Sequence, residues 1–232
     1  MTRSDGRTVG QLLTVTMLLA ARVTAVPSYR PTVQQSDAAI VLDRVVAAFH
    51  DLKLLTADFV QIVQNPLTGA PDSTRGKLYQ LPPNRFGMRF TAPRGDRIVA
   101  DGRYFWVYTP STAPDQVIRT RIPATGGTGP NLIGQFADRP QERYKSRYLR
   151  SDSLDHAAMD VLVLVPRDTA SSPFSEATLW VDRKDGLPRR LEFAETSGQR
   201  RTITLSKVAL NGEIPWREFT FTVPATVQVV DQ

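Results

Sequence analysis

The sequence FGMRFTAPRGDRIVADGRYFWVY, residues 86–108, decides the fold of this chain. Its first part places the apolar residues Phe86, Met88 and Phe90 at every second position. That period is typical of a β-strand with one apolar face, because successive side chains of a strand point to opposite faces. The stretch therefore predicts a sheet with an apolar side.

The second part of the same stretch predicts a hairpin whose returning strand is aromatic on both faces. Asp101-Gly102 favours a type I′ turn, in which both central residues need a positive φ. Tyr104, Trp106 and Tyr108 then share one face of the returning strand. Such a strand must lie between two apolar spaces, and in a single-sheet protein one of them could be a cavity.

The rest of the chain supplies more strands and few helices. An apolar stripe at helical spacing predicts a helix over 37–52, with Ser36 as its N-cap, and a shorter helix is expected over 131–137. Residues 66–75 are predicted as a loop, and turn residues separate the later strands. The predicted strands are 56–64, 76–81, 116–122, 144–150, 159–165, 177–182, 187–195, 199–210 and 218–223. The fold class is therefore mainly β, an antiparallel meander with a few helices and no domain linker.

Composition limits the classes of protein to which the chain can belong. Its 232 residues are 41% hydrophobic, enough for a sizeable core. The formal charge is +6, and Arg-rich surfaces suit acidic partners. The absence of cysteine excludes disulfides, cysteine nucleophiles and lipid attachment to an N-terminal cysteine.

The N-terminus predicts export. Residues 1–25 combine basic residues, an apolar run of signal-peptide length and the small-residue cleavage pattern Val23-Thr24-Ala25. The alternative is a disordered tail with an apolar patch. We expect a disordered segment over 26–35 and a single folded domain over 36–232.

Motifs of catalysis are weak or absent in the sequence. It contains no GxSxG and no GxxxxGK[ST], and the glycine-rich segment 124–130 lacks the lysine of a phosphate loop, so it is interpreted as a linker. His50 and His156 belong to no metal-binding spacing. Residues 143–150 interleave bases and aromatics, for which a solvated strand face is favoured over a nucleic-acid surface. We predict that the protein is not an enzyme and has no catalytic residue. We also predict that it uses no metal or cofactor and has no nucleic-acid partner.

Several segments, taken in their order and spacing, resemble the outer-membrane lipoprotein carrier (LolA) family over residues 37–231. The fold that this resemblance implies is a strongly curved antiparallel sheet, an unclosed β-barrel, with helices as a lid over an apolar cavity. The segments that carry it are Asp58–Gln61, Gly76–Tyr79, Pro83–Phe90, Ile98–Gly102, Trp106–Tyr108, Pro130–Ile133 and Phe219–Asp231.

The activity implied by the resemblance is carriage of lipidated proteins across the periplasm by a monomer. The implied partners are an inner-membrane lipoprotein-releasing ABC transporter and an outer-membrane lipoprotein acceptor. Each methylene of an acyl chain contributes roughly 0.8 kcal/mol to membrane anchoring, so transfer through water needs an apolar shelter. The alternatives are a lipid-binding or envelope-stress sensor module that does not transport, and an acyl hydrolase, which would need a Ser-His pair.

The resemblance also suggests site residues. A one-residue error in register would exchange the cavity face of a strand with its back, so the assignment of faces stays open. The expected lid residues are Val45, Phe49, Leu132, Ile133 and Phe136. The expected cavity residues are Phe59, Phe86, Met88, Phe90, Trp106 and Tyr108.

One position departs from the family pattern. Better-known members carry, just before the Pro-Asn-x-Phe segment, an Arg that latches the lid. Here that position is Pro82. Arg85 and Arg89, which lie within the segment and just after it, are the expected substitutes.

Overall fold

A single sheet of twelve strands forms the body of the protein in the computed structural model, which describes residues 31–122 and 131–232. The predicted signal peptide and the whole glycine-rich segment lie outside the described residues. The helical elements are α1 (Pro31–Asp51), the 3₁₀ turn η1 (Gly134–Phe136), α2 (Pro140–Arg143) and the 3₁₀ turn η2 (Trp216–Phe219). The strands are β1 (Leu55–Gln64), β2 (Pro71–Leu81), β3 (Arg85–Ala92), β4 (Arg94–Asp101), β5 (Tyr104–Tyr108), β6 (Gln116–Arg121), β7 (Tyr144–Leu154), β8 (Ala157–Pro166), β9 (Phe174–Asp182), β10 (Pro188–Glu195), β11 (Arg200–Leu210) and β12 (Gln228–Asp231).

The strand order shows two antiparallel meanders joined at their first and last strands. It runs β12-β6-β5-β4-β3-β2-β1-β11-β10-β9-β8-β7. β1 pairs with β2 on one side and with β11 on the other, both antiparallel. β12 alone runs parallel to its neighbour, β6. β7 and β12 are the two ends of the order, so the curved sheet is not closed. The predicted fold class is confirmed.

The main core fills the concave face of this sheet. Apolar residues of α1, including Val41, Leu42 and Val45, pack there against inward side chains of strands from both meanders. The amphipathic pattern of α1 explains this position, because its apolar stripe must be buried against another apolar surface. Ile133 and Phe136, at η1, complete the covering. We call α1 and η1 together the lid.

A second apolar region lies on the convex face. Val99, Trp106 and Val117 are buried there beneath apolar side chains of the chain's last part, including Phe221 and Val229. We call residues 214–231 the C-terminal cover. The aromatic hairpin strand β5 therefore lies between two apolar regions, as the sequence predicted.

Several predicted boundaries are wrong. α1 begins at Pro31, so Ser36 lies inside the helix and residues 31–35 are helical rather than disordered. Proline suits the first turn of a helix because its missing N–H would have no partner there. β2 extends back to Pro71, which is opposite Gln64 of β1. Pairing with β1 thus overrides a local composition that favours a loop.

The predicted turn type is also wrong. β4 and β5 pair as far as Ala100 and Phe105, and of the turn residues only Gly102 has a positive φ, 97°. Asp101 instead accepts hydrogen bonds at its Oδ1 from the backbone N–H groups of Arg103 (2.8 Å) and Tyr104 (2.7 Å). An Asp that binds backbone N–H groups two and three residues ahead stabilises the turn without a positive φ of its own.

No strand forms over 218–223. Residues 216–219 are the turn η2, and the last strand, β12, begins only at Gln228. Pro215 and Pro224 flank the segment and lack the N–H that a sheet ladder needs. Its apolar side chains pack across the convex face instead.

Candidate functional site

The residues predicted for the lid all contact the main core. Val45, Ile133 and Phe136 are fully buried, Leu132 is buried, and Phe49 packs at the edge of the core. The predicted short helix over 131–137 is present as the shorter turn η1. These side chains supply the apolar underside of a helical cover.

Phe136 anchors η1 in an aromatic cluster. Its ring centroid lies 5.5 Å from that of Tyr144, 6.3 Å from that of Phe174 and 6.1 Å from that of Phe193. These distances are those of favourable aromatic pairs. Burial raises the pKa of the Tyr144 hydroxyl above its ordinary value.

Four of the six predicted cavity residues lie together beneath the lid. Phe86, Met88 and Phe90 point from β3 into the main core, where Phe59 of β1 joins them. The rings of Phe59 and Phe90 meet edge to face at 5.1 Å. These side chains are packed against one another and line neither of the two clefts described below.

The other two predicted cavity residues, Trp106 and Tyr108, lie on the opposite face, so their assignment is wrong. Trp106 stacks on Phe221 at 5.4 Å, and its indole N–H donates to Asp101 Oδ2 at 2.8 Å. The ring of Tyr108 also packs on Phe221. The register of the β4–β5 hairpin sends Phe105, their neighbour in sequence, to the concave side instead.

Two open clefts flank the turn η1. The first, of about 540 Å³, lies between the end of α1 and the β2–β3 turn. Its apolar lining includes Val46, Phe49, Leu52, Pro82, Ala100 and Ile122.

The second cleft has a volume of about 640 Å³ and a more polar rim. The rim carries both Arg and acidic side chains, among them Arg167 and Asp168. Gln135 of η1 lines both clefts, so this turn lies between them. The apolar floor of the second cleft includes Phe105, Leu132, Tyr144, Phe174, Phe193 and Ile203.

A buried carboxylate joins the lid to the sheet. Asp160 of β8 is 6% exposed and points to the concave face. It forms an ion pair with Arg44 of α1 and accepts hydrogen bonds from Tyr148 Oη at 3.0 Å and Arg183 Nε at 2.8 Å. Burial alone would raise the pKa of Asp160, but the hydrogen bonds from Arg183, Arg44 and Tyr148 outweigh it and hold that pKa below its ordinary value.

Polar contacts also hold η1. Asn131 donates from Nδ2 to the Pro83 carbonyl at 3.3 Å and accepts at Oδ1 from the Gly134 N–H at 2.8 Å. The carbonyl of Gln135 accepts from Arg143 Nη1 at 3.1 Å. These are side-chain contacts, and among the described residues no backbone hydrogen bond joins α1 or η1 to a strand.

The two arginines predicted as latches do not reach the lid, so that prediction is wrong. Arg85 places its guanidinium 4.5 Å from the ring centroid of Trp216. Arg89 Nη1 lies 3.5 Å from Glu218 Oε1. Both residues alternate with the inward side chains of β3, so they point to the convex face and contact η2.

Sequence reasoning missed the pair Arg44 and Asp160. One signal was present: Asp160 is the acidic residue in the otherwise apolar run Ala157–Pro166. A carboxylate on a buried strand needs a partner. The sequence does not show that this partner lies on a helix 116 residues away.

Within the ranges 31–122 and 131–232, no group of three or more His, Cys, Asp or Glu side chains is arranged to hold a metal ion. No helix in those ranges is long and apolar enough to cross a membrane. His50 is exposed at the end of α1, with Nδ1 3.5 Å from Asp51 Oδ1.

Comparison with known proteins identifies similar chains. The family model described as outer membrane lipoprotein carrier protein LolA matches residues 50–222. An outer-membrane lipoprotein carrier protein of Bordetella avium (strain 197N) is 26% identical over 188 residues, which are 81% of this chain and 86% of the relative. One of Cronobacter sakazakii (strain ATCC BAA-894) is 30% identical over 192 residues, 82% of this chain and 84% of the relative. The same fold occurs in the crystal structure of an uncharacterized conserved protein from Thermus thermophilus, with a TM-score of 0.53, 16% identity and coverage of 84% and 99% of the two chains.

Proposed function

The chain belongs to the outer-membrane lipoprotein carrier (LolA) family, and from this premise we propose that it shields lipoprotein acyl chains during transfer between membranes. The observation that carries the proposal is the lid, a helix and a 3₁₀ turn that cover an apolar concave face and, in the described part of the chain, form no backbone-to-backbone hydrogen bond with a strand. A cover of this kind can move away without breaking the sheet.

The proposed binding space forms when η1 moves. The clefts of about 540 and 640 Å³ lie on either side of that turn and are both within the range of small-ligand sites, about 300–1,000 Å³. Withdrawal of Phe136 joins them across the floor of Phe59, Phe86, Met88 and Phe90. Acyl chains then replace the lid's own side chains against this floor, so the empty protein needs no large void.

The proposed route runs through the periplasm. A monomer accepts a lipidated protein from an inner-membrane lipoprotein-releasing ABC transporter and delivers it to an outer-membrane acceptor. The names of the relatives support this route, since both are outer-membrane lipoprotein carrier proteins. The Arg44–Asp160 ion pair serves as the latch in place of the expected arginines.

Transfer between membranes tests this proposal. We expect the purified protein to carry bound lipoprotein detectable by mass spectrometry. It should also move a fluorescent lipopeptide from donor vesicles through a dialysis barrier to acceptor vesicles. Protein that is empty and takes up no lipopeptide would refute carriage. Uptake without delivery would identify a binding or sensor module instead.

A further inference from the structure

Trp216 is exposed on the convex face at the start of η2. Its exposed fraction is 57%, whereas Trp106 and Trp180, the other tryptophans of the chain, are 7% and 8% exposed. The guanidinium of Arg85 stacks over the Trp216 ring at 4.5 Å, which fixes the ring while leaving its outer side free. This exposed ring is therefore ordered by its neighbours.

Basic side chains surround this indole. Arg217 is 77% exposed in its side chain, and its carbonyl accepts a hydrogen bond from Arg97 Nη2 at 3.3 Å. Arg85 and Arg97 are half-buried, and their Nε atoms are shielded from solvent without a hydrogen-bond partner in the described part of the chain. What this surface offers is therefore the positive charge of the guanidinium groups, above all that of the exposed Arg217.

Nearby acids cancel only part of this charge. Glu218 is buried, and Arg89 and Arg217 lie near its Oε1, at 3.5 and 3.8 Å. Asp101 is occupied by two backbone N–H groups and by the Trp106 indole. Glu213 is exposed three residues before Trp216.

The β2–β3 turn links the indole to the first cleft. Pro82, Pro83 and Asn84 line that cleft, and Arg85, on which Trp216 stacks, is the next residue. Consecutive Cα atoms are about 3.8 Å apart, so the backbone of Arg85 lies next to the lining of this cleft, while its side chain points to the convex face.

We infer that Trp216, Arg85, Arg97 and Arg217 form a docking surface for membranes that contain anionic phospholipids. Indole rings favour the headgroup level of a bilayer, and basic residues are attracted to anionic lipids. Docking would bring the β2–β3 turn, which lines the first cleft, to the membrane surface, where acyl chains leave or enter. Only this last step rests on the proposed carriage; the docking surface itself does not.

Tryptophan fluorescence with vesicles tests the inference, because Trp216 is the exposed indole of the three. With vesicles of phosphatidylcholine plus phosphatidylglycerol, we expect a blue shift and quenching by brominated lipid. With pure phosphatidylcholine we expect neither. Trp216→Phe should abolish both signals, and Trp216→Ala should lower vesicle partitioning by about tenfold or more.

Charge variants complete the test. Arg217→Gln should lower partitioning about fivefold, which corresponds to the ~1 kcal/mol expected for each basic residue near an anionic membrane. Arg147→Gln removes the same charge from an exposed position on the edge strand β7, and Leu67→Ala removes a 93% exposed apolar side chain from another loop. Both control variants should bind as the parent protein does.

Three outcomes would overturn the inference: equal binding to both kinds of vesicle, full binding by Trp216→Ala, or binding of an acidic envelope protein at this surface without any vesicle binding. Lipopeptide uptake in vesicle-free solution is measured on the same proteins and should not change in Trp216→Ala. Vesicle binding by a protein that takes up no lipopeptide would refute carriage and leave the docking surface standing.

Discussion

The lid and the C-terminal cover bury aromatic surface on opposite faces of one sheet, yet they are attached differently. The lid contacts the concave face through apolar packing and side-chain contacts such as Arg44–Asp160. The C-terminal cover adds the strand β12 to the sheet, where Arg119 binds Asp231 through two hydrogen bonds of 2.6 and 2.7 Å. The lid packs on the sheet, whereas the C-terminal cover contributes a strand to it.

This difference indicates which cover can move. The backbone hydrogen bonds of α1 close within the helix, so its displacement leaves no strand unpaired. Displacement of the C-terminal cover would break the β12–β6 pairing and expose Trp106. We therefore expect opening at the lid, and the following substitutions test the two covers against each other.

Phe136→Ala should give the largest effect. Phe136 is fully buried in an aromatic cluster, and a Phe→Ala change in a core costs about 3–5 kcal/mol of unfolding free energy. Urea denaturation measures this loss, and lipopeptide uptake should become faster because the lid is weakened. Phe221→Ala, in the C-terminal cover, is the control. If uptake became faster in Phe221→Ala and stayed at the parent rate in Phe136→Ala, our assignment of the moving cover would be reversed.

Asp160→Asn should give the next largest effect, a loss of about 2–3 kcal/mol of unfolding free energy, because the change removes a charged acceptor from three donors. Comparison of Arg44→Gln with Arg183→Gln distinguishes a role of Asp160 in holding the lid from a role within the sheet. Both arginines bind Asp160, but only Arg44 belongs to α1. Hydrogen exchange of α1 amides should accelerate in Arg44→Gln and stay near the parent rate in Arg183→Gln. Equal acceleration in both would show that Asp160 stabilises the fold without latching the lid.

The same carboxylate predicts a pH dependence. The pKa of Asp160 is lowered in the folded state from its ordinary value of 3.8, so its stabilising contribution is complete well above pH 3.8. This contribution of Asp160 is lost as the pH falls through the lowered pKa that the carboxyl group has in the folded state. The stability difference between the parent and Asp160→Asn, measured by urea denaturation, should shrink over this acid range. A constant difference would argue against a charged Asp160.

Gly87→Ala should destabilise the C-terminal cover by about 1–3 kcal/mol. A Cβ at this position would lie 2.6 Å from the backbone oxygen of Glu218, so η2 would have to shift. Gly212→Ala is the matched control, because a Cβ there meets nothing within 4 Å. We expect the thermal unfolding temperature to fall in Gly87→Ala but not in Gly212→Ala. Lipopeptide uptake should be unchanged in both variants. Impaired uptake would mean that the two covers are coupled.

His50→Ala and His156→Ala should have the smallest effects. His50 is exposed, and its contact with Asp51 is a surface pair of little energetic value. Lipopeptide uptake and transfer should stay within error of the parent. Release of free fatty acid that disappears in either variant would support the acyl hydrolase interpretation instead.

Local patterns predicted much of this architecture. The alternation of Phe86, Met88 and Phe90 placed their side chains on one face, and the apolar stripe of α1 placed that helix over a sheet. Boundaries failed where pairing with a distant strand overrode composition, as at Pro71. The predicted lid residues pack in the main core, whereas Arg85 and Arg89, chosen by transfer of a family position, face the other way and contact η2.

The sequence by itself determined that β5 has two aromatic faces, since alternation along a strand depends only on neighbouring residues. Tertiary structure decided that the C-terminal cover takes the face of Trp106 and Tyr108 and that the lid side takes Phe105. It also brought together Arg44 and Asp160, 116 residues apart. Which face is covered, and by which segment, depends on contacts between distant parts of the chain, and no local period encodes them.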